Sequence, residues 1–328
     1  MVDRSQSEKR AIFRELHRSG CFVLPNPWDV GSAAALASLG FRALATTSSG
    51  YAWSCGHADG QMTRDDVLAH LRLMARATDL PINADFESGY AATPDGVAEN
   101  VSMAIETGVA GISIEDSTGD SRAPLREIAE ATERMQAARQ AIDAAGGEII
   151  LTGRAENFFV GRPDLDDTIR RLKAYADAGA DCLYAPGLRT REQISAVIAA
   201  VAPKPVNVLI GWDTDLTVQD LADLGVRRIS VGGALARTAW AGFLRAARSL
   251  AEHGRFDGFA DAASGAELDG MFDRRDKAIT RDCASAVADQ RSLKHERDGA
   301  SDHGCGGDDP SGGPPSKGCR HPTHQHRA

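Results

Sequence analysis

Cysteine is scarce in this chain and badly spaced for cross-linking: six residues in 328, at positions 21, 55, 182, 283, 305 and 319, with no paired C-x-x-C. A chain of this length has no need of disulfide staples, so Cys21 and Cys182, in or beside apolar runs, read as small buried side chains. Positive charge is also in deficit. Acidic residues number 46 against 37 Lys and Arg, a formal charge of −9, which excludes the basic stripe that a phosphate backbone requires and removes nucleic acid from the candidate partners. No apolar run approaches membrane-spanning length, and positions 1 to 18 are charged and polar, unlike a secretory leader. The expectation is a soluble, cytoplasmic protein with no membrane partner.

A Gly-rich dinucleotide turn is missing too. After the first apolar run the chain reads Pro25-Asn-Pro-Trp-Asp, which argues against an open, doubly wound nucleotide-binding sheet. What is present is alternation. Eight short apolar runs, Cys21–Leu24, Ala43–Thr47, Ile82–Asp85, Gly111–Glu115, Ile149–Gly153, Cys182–Ala185, Pro205–Leu209 and Arg228–Val231, are separated by stretches whose apolar residues recur at three- and four-residue steps. Gly108, Gly179 and Gly225 stand where a helix-ending glycine should, just before a strand. Eight such units predict an α/β protein, a (β/α)₈ TIM barrel, with its site at the C-terminal ends of the strands. Residues 1–273 make the barrel and a C-terminal helical arm. Residues 274–328, rich in Gly, Asp, Pro, Ser and His, are expected to be a disordered polar tail whose Cys and His fit no standard zinc spacing.

Charge sits where a core-only protein would carry turns. The third run ends in Asp85-Phe-Glu87-Ser-Gly89, the fourth in Glu115-Asp116, and the fifth in Arg154 followed by Glu156. Carboxylates at neighbouring strand ends suit a hard cation such as Mg²⁺, or Mn²⁺, which accepts few direct carboxylates and keeps several waters. Arg154 beside them would hold an anionic substrate. Such a site suits a small 2-oxo acid or its enol, with an oxyanion stabilised as it develops. His17, His70 and His253 lack partners at ligand spacing and read as packing or surface residues, and Asp116 as support for Glu115.

Several separated pieces, in one order and each at a strand end, resemble the isocitrate lyase and phosphoenolpyruvate mutase superfamily: Ser49-Gly50-Tyr51, Gly56-His-Ala-Asp59, Asp85-Phe-Glu87-Ser-Gly89-Tyr90, Gly111-Ile-Ser-Ile-Glu115-Asp116, Arg154-Ala-Glu156, Gly179-Ala-Asp181 and Pro205-Val-Asn207. The resemblance implies that Asp85 and Glu87 hold Mg²⁺ with Glu115, and that Asp59, Arg154 and Glu115 act at the reacting centre. It further implies that Ser49, Gly50 and Tyr51 cradle the substrate carboxylate, Arg154 contacts its anionic end, and Asn207 closes the pocket floor. A homo-oligomer, dimer or tetramer, is expected, with Phe256–Phe272 as the exchanged arm.

The departures limit the reaction. Glu115 is followed by Asp-Ser-Thr-Gly-Asp-Ser-Arg, without the Lys-[Lys/Arg]-Cys-Gly-His loop of the lyase branch, and Cys55-Gly-His57 lies after the second strand instead. Tyr184-Ala-Pro186-Gly replaces the mutase histidine, and the mutase gating lysine and asparagine are absent. The leading expectation is a Mg²⁺-dependent lyase that makes or breaks a C–C bond through a pyruvate enolate. The alternatives are a phosphoenolpyruvate or phosphonopyruvate mutase or hydrolase, and a catalytically inactive 2-oxo acid binding protein.

Overall fold

The computed structural model describes residues 4–272. The expected tail, with its cysteines and histidines, lies outside the described residues.

All eight anticipated strands form: β1 (Phe22–Leu24), β2 (Leu44–Ala45), β3 (Ile82–Asp85), β4 (Gly111–Glu115), β5 (Ile150–Arg154), β6 (Cys182–Tyr184), β7 (Val206–Leu209) and β8 (Arg228–Ser230). Every pairing is parallel, and the order β1-β8-β7-β6-β5-β4-β3-β2 runs once around a cylinder. Its seam, between β1 and β2, is held by Ala45 N–H donating to Pro25 O at 3.0 Å and by Asn26 Nδ2 donating to Thr46 O at 2.9 Å.

Eleven α-helices occupy the described residues: α1 (Gln6–Leu16), α2 (Val30–Ser38), α3 (Ser48–Ser54), α4 (Arg64–Arg76), α5 (Pro94–Glu106), α6 (Ile128–Ala144), α7 (Leu165–Asp177), α8 (Arg191–Val201), α9 (Val218–Asp223), α10 (Ala234–His253) and α11 (Gly265–Phe272). Local chemistry starts them. Ser5, Thr63, Thr190 and Thr217 close capping boxes, and Thr93 caps α5 ahead of Pro94 at its first turn. Gly108, Gly179 and Gly225 have φ of 95°, 98° and 92°, the left-handed turn expected of helix-ending glycines.

Strand alternation divides the side chains in two. Ile112, Ile114, Leu151, Leu183, Val206, Val208 and Ile229 belong to the apolar core. The alternate residues Asn83, Ser113, Asn207 and Arg228 line the barrel's central cavity, below the acidic strand ends. The barrel interior is therefore mixed, since Leu24, Ala45 and Leu209 line the same cavity and Phe22, Ile150 and Cys182 pack as a second apolar cluster. Arg228, 2% exposed, donates Nε to Asn207 Oδ1 (2.8 Å) and Nη2 to Thr152 Oγ1 (3.1 Å), and its Nη1 lies 3.2 Å from His17 Nε2. His17 Nδ1 is 2.7 Å from Phe13 O, so Nδ1–H donates there and Nε2 accepts from Arg228. Burial, then the Arg228 charge, lowers the His17 pKa to about 3, which keeps the ring neutral. His17 is thus a buried packing residue and a partner of the floor arginine.

The helix after β8 buries little of itself. Ala236 is the single buried residue of α10, while Leu235, Trp240, Phe243, Leu244 and Leu250 are exposed on it, followed by Phe256, Phe259, Leu268 and Phe272. Exposed apolar side chains therefore begin some twenty residues before the arm expected at Phe256–Phe272. No helix among the described residues is long and apolar enough to cross a membrane.

Candidate active site at the strand ends

A cavity of about 830 Å³ opens at the C-terminal ends of the strands. Register builds its wall: Glu115 pairs with Arg154, and Arg154 with Tyr184, on adjacent strands. Arg154 Nη1 lies 3.2 Å from Asp85 Oδ1 and 3.1 Å from Glu115 Oε2, while Nε lies 2.5 Å from Glu156 Oε1. Its guanidinium carbon stands 5.2 Å from the Tyr184 ring centroid. Burial works against the Arg154 charge, yet Glu115 and Glu156 hold its pKa well above the ordinary value.

The acids are held from behind. Ser48 N–H, at the start of α3, donates to Asp85 Oδ2 (3.0 Å), and Asp85 N–H donates to Thr46 Oγ1 (2.9 Å). Ser117 Oγ donates to Glu115 Oε1 at 2.5 Å. Buried Asp116 accepts from Glu156 N–H (2.8 Å), from Arg171 Nη1 (3.0 Å) and from the Tyr175 hydroxyl (2.5 Å), which fixes the turn after β5. Asp116 thus braces the turn that carries Glu156, where support for Glu115 was expected.

Too much negative charge is gathered here for one guanidinium. Burial, followed by repulsion from Asp85, Glu115 and Asp59 and opposed by the Tyr90 hydrogen bond, pushes Glu87 up to about 7. Asp59 is raised by burial and then by Asp85; Glu115 is raised by burial despite Arg154; Glu156 is pushed up to about 8, mainly by burial. Five carboxylates, Asp59, Asp85, Glu87, Glu115 and Glu156, line this side of the cavity against Arg154 alone. Among the described residues no three Asp, Glu, His or Cys side chains converge into a ready-made metal cage. A hard cation with a mostly aqueous shell fits such a set better than zinc, since it needs one or two direct oxygen ligands and the compensating charge. Asp85, Glu87 and Glu115 could hold it.

The other expected residues divide. Ser49, Asp59 and Asn207 line the cavity, Asn207 at its floor beside Arg228 and Ser230. Gly50 and Tyr51 are not among the lining residues. Gly50 is buried where a Cβ would stand 2.7 Å from Thr47 Cγ2 and 3.0 Å from Trp28 Cβ, so its lack of a side chain serves packing. Tyr51 stacks on His70, ring centroids 3.8 Å apart, and its hydroxyl donates to Asp66 O. Thr46, Thr47 and Ser48 also line the cavity, where Thr47 caps α3 and the Ser48 N–H meets Asp85. Glu156 and Tyr90, quoted in the sequence motifs without a role, are the partners of Arg154 and Glu87. Cys55-Gly-His57 does not line the cavity.

The family model for phosphoenolpyruvate phosphomutase matches residues 13–251. An uncharacterized protein of Mycobacterium tuberculosis is 36% identical over 225 residues, 67% of this chain and 81% of that one. An oxaloacetate decarboxylase of Rhodopseudomonas palustris is 32% identical over 46% of this chain and 54% of its own length, and the 2-methylisocitrate lyase of Escherichia coli is 32% identical over 44% and 50%. The chain thus matches about half the length of these two named enzymes. Among solved structures, a candidate lyase/mutase from Burkholderia cenocepacia J2315 is 46% identical with a TM-score of 0.80, covering 83% of this chain and 98% of that one. Oxaloacetate acetylhydrolase with its product oxalate is 26% identical with a TM-score of 0.74, covering 86% and 98%. With the eight-stranded barrel and the acidic strand ends in place, the chain is an enzyme of the phosphoenolpyruvate mutase and isocitrate lyase superfamily.

Proposed function

We propose that this chain is a cytoplasmic, Mg²⁺-dependent lyase that makes or breaks a C–C bond of a small 2-oxo acid through a pyruvate-type enolate. The observation that carries the reading is the meeting of Asp85, Glu115 and Glu156 at one guanidinium, with Glu87 and Asp59 adding negative charge to the same cavity. Oxaloacetate and 2-methylisocitrate, named for the relatives' activities, carry the required carbonyl or carboxylate units.

The chain's own residues divide the work. Asp85 and Glu115 are fixed by Ser48, Thr46 and Ser117 before any ligand arrives, so their orientation costs no reorganisation. Arg154 faces the cavity from between them and offers N–H donors to a developing oxyanion. The Ser48 and Ser49 segment receives the substrate carboxylate at the N-terminus of α3, and Asn207 with Arg228 floors the pocket. Burial raises the Asp59 pKa and pushes Glu87 up to about 7, which suits both carboxylates to taking up a proton during the reaction. A bound Mg²⁺, or Mn²⁺ in its place, would supply positive charge for the enolate oxygen. We also infer a homo-oligomer, dimer or tetramer, whose second copy covers the apolar face of α10; a monomer mass by light scattering at micromolar concentration would contradict it.

The decisive test is Asp85→Ala, assayed against a 2-oxo acid panel with Mg²⁺ and by calorimetry with oxalate, which imitates the planar enolate. The expected result is at least a thousandfold loss of turnover and loss of Mg²⁺-dependent oxalate binding, with the circular dichroism spectrum retained. Unchanged activity in this variant would refute the reading.

A further inference from the structure

We infer that Arg189 and Arg237, with Trp212, form a second anion subsite that selects 2-oxo acids bearing a second carboxylate at their far end. The inference deepens the proposed function and rests on it.

The mouth of the barrel is electrically polarised by its topology. Acids follow β3, β4 and β5, whereas the segments after β6, β7 and β8 contribute Arg189, Trp212 and Arg237 to the same cavity. Arg154, the expected anchor for the substrate's anionic end, cannot supply net positive charge, because three carboxylates already surround it. The other two mouth arginines differ. Neither pairs with a carboxylate among the described residues: the Arg189 guanidinium carbon stands 4.4 Å from the Trp212 ring centroid, and Arg237 donates Nη2 to Gly211 O.

These contacts pre-position the charges without neutralising them. The approach to the Trp212 ring holds the Arg189 guanidinium by cation–π attraction without neutralising it, and a guanidinium carries the paired N–H edge suited to bidentate capture of a carboxylate. The Gly211 carbonyl holds Arg237 toward the same loop, so both arginines converge around Gly211-Trp212. A substrate whose 2-oxo acid end lies among Ser48, Asp85 and Glu115 would extend its remaining carbons across the cavity toward this pair. Arg228 does not compete for the far carboxylate, being engaged at the floor by Asn207, Thr152 and His17.

Matched probes of equal length test the subsite: 2-oxoglutarate against 2-oxopentanoate, and 2-oxoadipate against 2-oxohexanoate, titrated by calorimetry with Mg²⁺ into the full-length protein. The wild type should bind the better-fitting diacid at least tenfold tighter than its monoacid. In Arg189→Gln/Arg237→Gln that ratio should fall to about one. Reading a ratio within each variant cancels any general weakening of the site. A wild type without diacid preference, or a double variant that retains it, would overturn the subsite while leaving the metal-end reading intact. Failure of the wild type to bind oxalate would instead remove the proposed function, and the subsite with it.

Discussion

The Tyr90 hydroxyl donates to Glu87 Oε1 at 2.6 Å, and these two are the only non-glycine residues with left-handed backbone among those described, φ 53° and 43°. Backbone strain of this kind costs on the order of 1–3 kcal/mol per residue and persists where surrounding contacts enforce it, often at functional sites. Here it accompanies a carboxylate that lines the cavity and the donor that holds it.

Removing that donor in Tyr90→Phe should raise the Glu87 pKa above its present value of about 7, since the hydrogen bond opposes the effect of burial. Glu87 would then be protonated over more of the neutral range. The acid limb of the kcat/KM profile, and of Mg²⁺ affinity, should move to higher pH, with several-fold loss at pH 7 that shrinks by pH 9. A superimposable profile would dissociate Glu87 from catalysis.

Glu156 allows charge to be separated from hydrogen bonding. Burial disfavours the Glu156 charge and pushes its pKa up to about 8, so Glu156→Gln, which keeps an oxygen acceptor for Arg154 Nε, should cost less than about 1 kcal/mol of stability. Glu156→Ala leaves Arg154 Nε without its partner and should cost about 3 kcal/mol. Equal urea midpoints for the two variants would disprove this account.

Gly50→Ala separates packing from ligand binding. The added Cβ would collide with Thr47 and Trp28, a destabilisation of about 1–3 kcal/mol by overpacking. Thermal melting should show the loss, and KM of the folded fraction should stay within twofold. A raised KM with unchanged melting would restore Gly50 as a substrate contact.

His70 makes stability depend on pH. Burial lowers its pKa to about 4, with Asp29 opposing in part, and its Nε2 has no hydrogen-bond partner. Below pH 6.5 the unfolded chain takes up a proton that the folded chain refuses, so stability falls as pH drops from about 6.5 toward 4, by up to about 1.4 kcal/mol per unit; above that window the residue contributes no slope. His70→Phe should retain the stack on Tyr51, lower the slope in urea titrations by up to about 1.4 kcal/mol per unit while the share of buried His17 remains, and leave stability at pH 7.5 equal or higher. An unaltered slope would sink the assignment.

The barrel was legible because its signals are local. The eight apolar runs match the eight strands to within two residues at each end, and the helix-ending glycines stand where expected, because each depends on a few neighbouring side chains. The acids Asp85, Glu87 and Glu115 were legible for a related reason: the end of a strand is marked by where its apolar pattern stops. The packing around the expected substrate loop was not legible: nothing in Ser49-Gly50-Tyr51 reveals that Thr47 caps a helix whose next glycine is packed against Trp28.

The sequence by itself determined the number of strands, their order of appearance and the presence of acids at three successive strand ends, since periodicity and strand termination act within a few residues. Only the tertiary structure decided that Arg154 would meet Asp85, 69 positions earlier, together with Glu115 and Glu156. The same holds for the polar floor of His17, Thr152, Asn207 and Arg228, and for the gathering of Arg189 and Arg237 around Trp212 and Gly211. Register between strands and closure of the cylinder set those distances. Burial then sets the charge each group can carry, and it exists only once the whole chain has packed.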